Sequence, residues 1–229
     1  MKTVIVGDVH AEFGRFNKFL SKRKSDVVIA CGDFGYWPRH IDMDCIKAHN
    51  TKVYFCDGNH EDHRKLKSLT HKQEPAEITD NVFYMPRGTT LQHEGLTWLF
   101  VGGALSIDKH FRVRDQDWFE EELITEEDFN RLPDINVDVV ISHTAPNFLL
   151  RNYNLCTLGT EEKFFDPSTH FLNGVFKKYL PKYWYFGHFH KKFSIEHNYC
   201  LFFGLNMIPD DGWWRYLYTK DLGDYEDRY

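Results

Sequence analysis

No run of apolar residues in this 229-residue chain approaches the length of a membrane-spanning helix, and Lys2 is followed at once by an apolar strand, leaving no room for a cleavable leader. The expectation is a cytoplasmic protein with no membrane partner. Surplus positive charge is also missing: 28 Lys and Arg against 34 Asp and Glu leave a net −6, so no global field gathers polyanions. Any phosphate-bearing ligand must be drawn in locally. Cysteines are few and unpaired in pattern. Cys31, Cys45, Cys56, Cys156 and Cys200 are odd in number, without a C-x-x-C pair, and three stand in apolar runs, which fits reduced, buried thiols better than disulfides or a thiolate site. Internal repeats, low-complexity tracts and linkers are absent too, which excludes solenoid and disordered classes. With 42% apolar and 17% aromatic residues, the remainder is a chain able to fill one substantial core. One domain is expected over residues 1–220, followed by a polar tail at 221–229.

What the chain has is a repeated device. Met1 to Val6 is an apolar, β-branched run that stops at Gly7-Asp8-Val9-His10, and it reads as a strand of a mainly parallel sheet covered on both faces. Open α/β sheets bind ligands beyond the carboxyl ends of their strands, so Asp8 and His10 stand where chemistry is usually done. Residues 12–23 place Phe13, Phe16, Phe19 and Leu20 at helical spacing. Val27 to Cys31 then runs into Gly32-Asp33, and Lys52 to Cys56 into Asp57-Gly58-Asn59-His60-Glu61; residues 41–49 and the Lys-rich stretch through Leu69 read as helices. From Asn81 short runs at 82–84, 89–91 and 96–101, separated by turn residues, predict antiparallel strands with tight turns, the start of a second sheet or of a sheet edge. The loop from Ser106 to Asp117 carries Asp108, His110, Arg112 and Arg114, and an acidic helical stretch follows Trp118. Val137 to Ile141 is another buried strand, tipped by Ser142-His143. Residues 147–181 read as an insertion, loop-like to Phe165 and helical from Phe171 to Leu180. Tyr183 to Phe186 leads into Gly187-His188-Phe189-His190, and runs at 193–195, 201–203 and 214–218 complete an antiparallel tail.

Each signal alone is ordinary. An Asp after a strand is usually a helix cap or turn former, and His40, His49, His63, His71, His93, His170 and His197 are read as satisfied core or surface residues. Five strand ends carrying Asp8/His10, Asp33, Asn59/His60, His143 and His188/His190 are a different matter, because a sheet gathers strand ends that are far apart in sequence. Two carboxylates, an amide oxygen and four imidazoles, with His60 set aside, exceed what one ion with open positions needs. They fit two divalent ions sharing a carboxylate, with Asp33 the natural bridge, and such ligands suit Mn, Fe, Zn, Co or Ni, Mn being favoured.

Gly7-Asp8-Val9-His10, Gly32-Asp33, Gly58-Asn59-His60-Glu61, Ser142-His143 and Gly187-His188-Phe189-His190 resemble, in order, the five motifs of the calcineurin-like metallophosphoesterases, over residues 7–190. The resemblance implies an α/β fold, a βαββα sandwich of two mixed β-sheets flanked by helices. It implies one metal held by Asp8, His10 and His190, a second by Asn59, His143 and His188, Asp33 bridging, and His60 beside them as an acid. The residue types suit that chemistry. Two ions about 3.5–4 Å apart can clamp phosphoryl oxygens and lower the pKa of a bridging water to about 7, giving a hydroxide for in-line attack. His60 is then the general acid for the leaving group.

The protein Ser/Thr phosphatases of this family carry a further Asp-Arg-Gly after the bridging aspartate, where this chain has Phe34-Gly35-Tyr36-Trp37. A small phosphate ester or nucleotide is therefore expected over a phosphoprotein, and another cation must meet the phosphate. Arg112 is the first choice, ahead of Arg114 and Arg39, because its loop leaves a strand near the site and a guanidinium forks to two oxygens. A nuclease is the alternative, disfavoured by the acidic balance; a non-catalytic scaffold is less favoured still, since no motif residue is lost. Tyr36, Trp37, Trp213 and Trp214 could stack on a base, but packing is the preferred reading. Oligomeric state is not legible.

Overall fold

Alternate residues of the first strand belong to different cores. In the computed structural model, which describes residues 1–69, 74–153, 155 and 166–217, Val4 and Val6 of β1 (Thr3–Val6) pack with Phe13, Phe16 and Leu20 of α1 (Phe13–Arg23). Ile5, between them, joins Ile29, Trp98, Phe100, Ile141 and Tyr185 in a second core. That is the two-residue period of a strand with both faces covered. The further strands are β2 (Val27–Ala30), β3 (Lys52–Phe55), β4 (Ala76–Thr79), β5 (Val82–Tyr84), β6 (Thr90–His93), β7 (Leu96–Val101), β8 (Val139–Ser142), β9 (Tyr183–Phe186), β10 (Phe193–His197), β11 (Cys200–Gly204) and β12 (Trp214–Tyr216). The further helices are α2 (His63–Leu69), α3 (Glu126–Asn130), α4 (Asn147–Tyr153) and α5 (Pro167–Tyr179).

Two six-stranded mixed sheets result, ordered β12-β1-β2-β3-β5-β4 and β10-β11-β9-β8-β7-β6. In each, parallel central strands are closed by antiparallel edges: β12 and β4 in the first, β10 and β6 in the second. The inner faces share the core of Ile5, Trp98 and Tyr185, and the outer face of the second sheet packs Trp184 and Phe202 against Leu149 of α4 and Leu172 and Phe176 of α5. This is the expected sandwich flanked by helices. Fully burying a side chain such as Phe16 or Phe202 contributes about 2–3 kcal/mol, so the three cores supply the driving force. Cys31, Cys56 and Cys200 are buried free thiols within them, and burial pushes each thiol up, away from reactivity.

Several local expectations fail for identifiable reasons. The helix predicted over residues 41–49 shrinks to a 3₁₀ turn, Met43–Cys45, because Asn17 of α1 donates to the Cys45 carbonyl (2.8 Å) and accepts the Lys47 N–H (2.8 Å). Tertiary pairing there replaces the helical ladder. Of the two expectations for the run at 82–84, the sheet edge holds and the second sheet does not: β5 pairs parallel with β3 and antiparallel with the edge strand β4, which has no counterpart among the expected strands. The stretch after Trp118 splits into a 3₁₀ turn, Glu120–Glu122, and the short α3, whose start is fixed by a capping box between Thr125 and Asp128. Residues 147–153, expected as loop, form α4. Helix α5 begins before Phe171 because Asp166 caps it, accepting the Ser168 N–H, with Pro167 in its first turn. The proposed tail at 221–229, the end of the strand predicted to 218, most of the insertion's loop (154 and 156–165), His71 and Cys156 lie outside the described residues.

Candidate metal centre

Strands β1, β2 and β3 are mutually parallel, as are β8 and β9, so the loops that follow them collect at the carboxyl ends of the two sheets. The backbone there is specialised. A Cβ on Gly58 would lie 2.1 Å from Asp33 Oδ1, and one on Gly187 would lie 2.0 Å from Asp8 Oδ1, so both positions must be glycine for the carboxylates to fit. His10, Asp33, His188 and His190 all hold left-handed φ values between 42° and 65°, each costing on the order of 1 kcal/mol. Strain of this kind persists where surrounding contacts fix it. Here the Asp33 carbonyl accepts N–H groups from Val9 (3.0 Å) and His10 (2.7 Å), and both Asp8 oxygens accept the His188 N–H at 3.1 Å.

The side chains converge. His190 Nε2 lies 2.9 Å from Asp8 Oδ2, and His10 Nε2 lies 3.2 Å from His190 Nε2 and 3.8 Å from Asp8 Oδ2. Asp33 turns Oδ2 toward His10 Nε2 (3.6 Å) and Oδ1 toward His143 Nε2 (3.3 Å). Asn59 Oδ1 is 3.0 Å from the same His143 nitrogen, and the rings of His143 and His188 are 4.8 Å apart. The sets Asp8/His10/His190, His10/Asp33/His60 and Asp8/Asp33/His143 each bring their donor atoms within 4.8 Å, a spacing that can hold a metal ion. His143 also donates Nδ1–H to the Cys31 carbonyl (2.9 Å), which leaves Nε2 as the ligand atom, the usual arrangement behind a metal-binding imidazole.

Charges in the cluster pull against one another. Burial alone would raise Asp33, but the charge of His143 and the hydrogen bond from it hold this carboxyl well below the usual range. Burial opposes charging of His143, yet Asp33 and Asp8 outweigh it and take the imidazole up to about 10. His188, beside it, is pushed down to about 3 by burial and by the His143 charge. His190 is raised by its hydrogen bond to Asp8. Among the described ion pairs, Asp8 and Asp33 meet histidines alone, and imidazoles can shed their protons to a divalent cation. The donor set therefore fits metal.

His60 is half-buried at the edge of the cluster, its ring 5.0 Å from that of His10 and its backbone N–H donated to Asp33 Oδ1 (2.7 Å). Burial, and then the Arg112 charge, lower its pKa against the pull of Asp33. Arg112 reaches it directly: one guanidinium nitrogen is 2.8 Å from His60 Nε2, while Asp108 accepts from the same side chain at 2.8 and 2.9 Å. The other two arginines are committed elsewhere, Arg39 to Asp62 at 2.9 Å and Arg114 to Glu120. The aromatics pack, as preferred: Tyr36 and Trp213 are buried, Trp37 lies against Phe119, and Trp214 against Phe19. Glu61, the last residue of the Gly58-Asn59-His60-Glu61 motif, accepts the N–H groups of Phe34, Gly35 and Tyr36 and so ties down the loop after Asp33. Nothing in its local sequence announces that task.

The family model of the calcineurin-like phosphoesterases matches residues 1–192. The chain belongs to the calcineurin-like phosphoesterase family. Among solved structures it is similar to a phosphopantetheinyl hydrolase from Mycobacterium tuberculosis, with 14% identity, a TM-score of 0.50, and 96% of each chain covered. It is also similar to a putative 5′-nucleotidase from Staphylococcus aureus, solved in complex with alpha-ketoglutarate, with 16% identity and a TM-score of 0.51; 97% of this chain and 52% of that one are covered. At these identities the likeness is one of fold. No curated protein sequence matches the chain. Membership makes the chain a phosphoesterase with a candidate metal site, and among the described residues no helix is long and apolar enough to cross a membrane.

Proposed function

We propose that this phosphoesterase is a single domain over residues 1–220 that works in the cytoplasm and hydrolyses small phosphate esters or nucleotides with two divalent ions, Mn favoured. The observation that carries the reading is the placement of Asp33, one oxygen toward His10 and the other toward His143, with Asp8, His190, Asn59 and His188 around them. On this reading Asp8, His10 and His190 hold one ion, Asn59, His143 and His188 the other, and Asp33 bridges. Bound there, the ions would supply positive charge against phosphoryl oxygens and acidify the attacking water.

The chain's own residues do the rest. His60 protonates the leaving group. Its Nε2 and a guanidinium N–H of Arg112 lie 2.8 Å apart, so a protonated Nε2 would set donor against donor. Arg112 must therefore turn toward a phosphate oxygen as His60 takes up its role, and Asp108, which accepts from Nε and from the same nitrogen that meets His60, keeps it within reach. The small-substrate preference is supported by the missing Asp-Arg-Gly element, by the net −6 charge, and by the names of the two neighbouring structures.

The test is turnover of a panel (aryl phosphate, aryl phosphodiester, cyclic nucleotides, phosphopeptide, single-stranded DNA) by metal-stripped protein reloaded with each metal in turn. Small esters should lead, and a lead by phosphopeptide or DNA would overturn the substrate reading. His60→Gln should retain its metals and lose far more rate on alkyl than on aryl esters, because a good leaving group needs less protonation. Equal losses would remove His60 from the acid role.

A further inference from the structure

We propose that Glu122, acting through Ser106, is a positioning residue that decides which end of the Asn59 amide faces the metal centre. The inference rests on the reading of Asn59 as a metal ligand. An asparagine amide has two nearly isosteric ends: the oxygen can bind a cation and the NH₂ cannot. In this fold the NH₂ of Asn59 donates to Ser106 Oγ at 3.2 Å, and Oδ1 lies 3.0 Å from His143 Nε2.

A serine hydroxyl has one proton, and whatever accepts that proton decides what the oxygen can offer to a third group. Glu122 Oε2 takes it at 2.7 Å. Glu122 is itself locked, because Oε1 accepts the Ser106 backbone N–H at 2.6 Å and the Trp118 indole N–H at 3.0 Å. With its proton committed, Ser106 Oγ presents only lone pairs to Asn59, and the NH₂ end is the one that fits. A flipped amide would press Oδ1 against those lone pairs. Water cannot relieve the conflict, since Glu122 is 0% exposed, Ser106 1% and Asn59 5%.

The arrangement also accounts for an otherwise costly feature. Of the three acids Glu120, Glu121 and Glu122, only the last is buried, and no lysine or arginine pairs with it among the described ion pairs. A buried carboxylate needs several donors to persist, and these three arrive from Ser106 and Trp118. Sequence distance hides the connection: Asn59 and Ser106 are 47 positions apart, Ser106 and Glu122 16.

Calorimetric titration of the metal-stripped protein with Mn(II) tests the proposal. Wild type should take up two ions. Ser106→Ala, which removes the acceptor, should weaken one ion by about tenfold and leave the other near its wild-type value. Glu122→Gln should do the same, since an amide NH₂ facing Ser106 Oγ reverses the hydroxyl. The deciding measurement repeats both changes in an Asn59→Asp background, where each end of the side chain is an oxygen and orientation no longer matters. There the penalty should vanish, whereas a merely structural effect would persist. Wild-type affinities in both single variants, or an undiminished penalty beside Asn59→Asp, would overturn the proposal. A wild-type chain that binds fewer than two ions would instead sink the two-metal reading, and this inference with it.

Discussion

Two groups of acids in this fold differ in what neutralises them. Asp57 and Asp128 share Arg87, whose Nε and one NH₂ reach Asp57 Oδ2 at 3.0 and 2.6 Å and whose other NH₂ reaches Asp128 at 3.0 Å; the same guanidinium also donates to the carbonyls of Glu121, Glu122 and Leu123. Asp8 and Asp33 have imidazoles in place of an arginine. A cluster with a permanent cation is complete and acts as a staple, here between the end of β3, the loop after β5 and the acidic segment leading to α3. A cluster whose positive partners can all deprotonate is suited to an exchangeable dication. The same residue types thus serve stability in one place and chemistry in the other, and each group can be broken separately.

The largest effect should come from the staple. Arg87→Ala leaves Asp57 buried without its cation and Asp128, half-buried, with Arg131 alone, and removal of one partner from a buried pair destabilises by about 3–5 kcal/mol. The urea midpoint should fall by the corresponding amount, and equally in metal-stripped and metal-loaded protein. A small loss, or one confined to the loaded protein, would show that the two groups are not separate.

The staple also predicts an acid limb. His63 is buried beside Asp57 with Nε2 unpartnered, and burial pushes its pKa down to about 4, the pull of Asp57 being insufficient to offset it. Because the unfolded chain takes up this proton near pH 6.5 and the folded chain only near 4, stability is lost as pH falls through that window. Between pH 7 and pH 5 the metal-stripped wild type should lose about 2 kcal/mol more than His63→Leu. Parallel pH profiles for the two would remove His63 from the account.

At the other group, Asp33→Asn keeps an acceptor for the His60 N–H but removes the charge between His10 and His143. Activity should fall at least about a hundredfold, roughly 2.7 kcal/mol of transition-state stabilisation, with Mn(II) uptake reduced. The urea midpoint of the metal-stripped protein should move less than in Arg87→Ala. Two ions retained with full activity would end the bridging role.

The contrast between the groups is also a contrast in legibility. The metal cluster could be read because each of its members stands at the tip of an apolar strand, where a polar tail is a local anomaly that recurs at Asp8, Asp33, Asn59, His143 and His188. The staple could not be read this way. Asp57 itself follows an apolar strand, but its partner Arg87, 30 positions on, and Asp128, 41 beyond that, stand among ordinary charges, and no local pattern separates a buried arginine from a solvated one. Glu122 is hidden for the same reason, within a run of three acids that resembles a solvated face. Short elements fared worst: β4, Ala-Glu-Ile-Thr, alternates for only four residues and buries none of them at its sheet edge, and α4 spans only seven residues, too few for a helical period to emerge.

The smallest expected effect lies where the metal cluster meets solvent, and it decides whether this centre uses a fixed cation after all. Arg112 is chemically like Arg87, yet its side chain contacts one exposed-side carboxylate, Asp108, the imidazole of His60 and, at 3.3 Å, the Asp117 carbonyl, and is only 9% exposed. It is held in place without being saturated, as a group that must turn to a substrate oxygen should be. Arg112→Ala should therefore lower kcat/KM on small esters by about tenfold, on the order of 1.4 kcal/mol, with metal content and melting temperature near wild type. Arg112→Lys should rescue little, because a single ammonium cannot reach Asp108 and a phosphate oxygen with the same fork. Asp108→Asn should fall between wild type and Arg112→Ala, since it loosens the guanidinium without removing it. If Arg112→Ala instead unfolds the protein as Arg87→Ala is expected to do, Arg112 is a second staple and the phosphate contact belongs to another residue; wild-type kinetics would move that contact elsewhere as well.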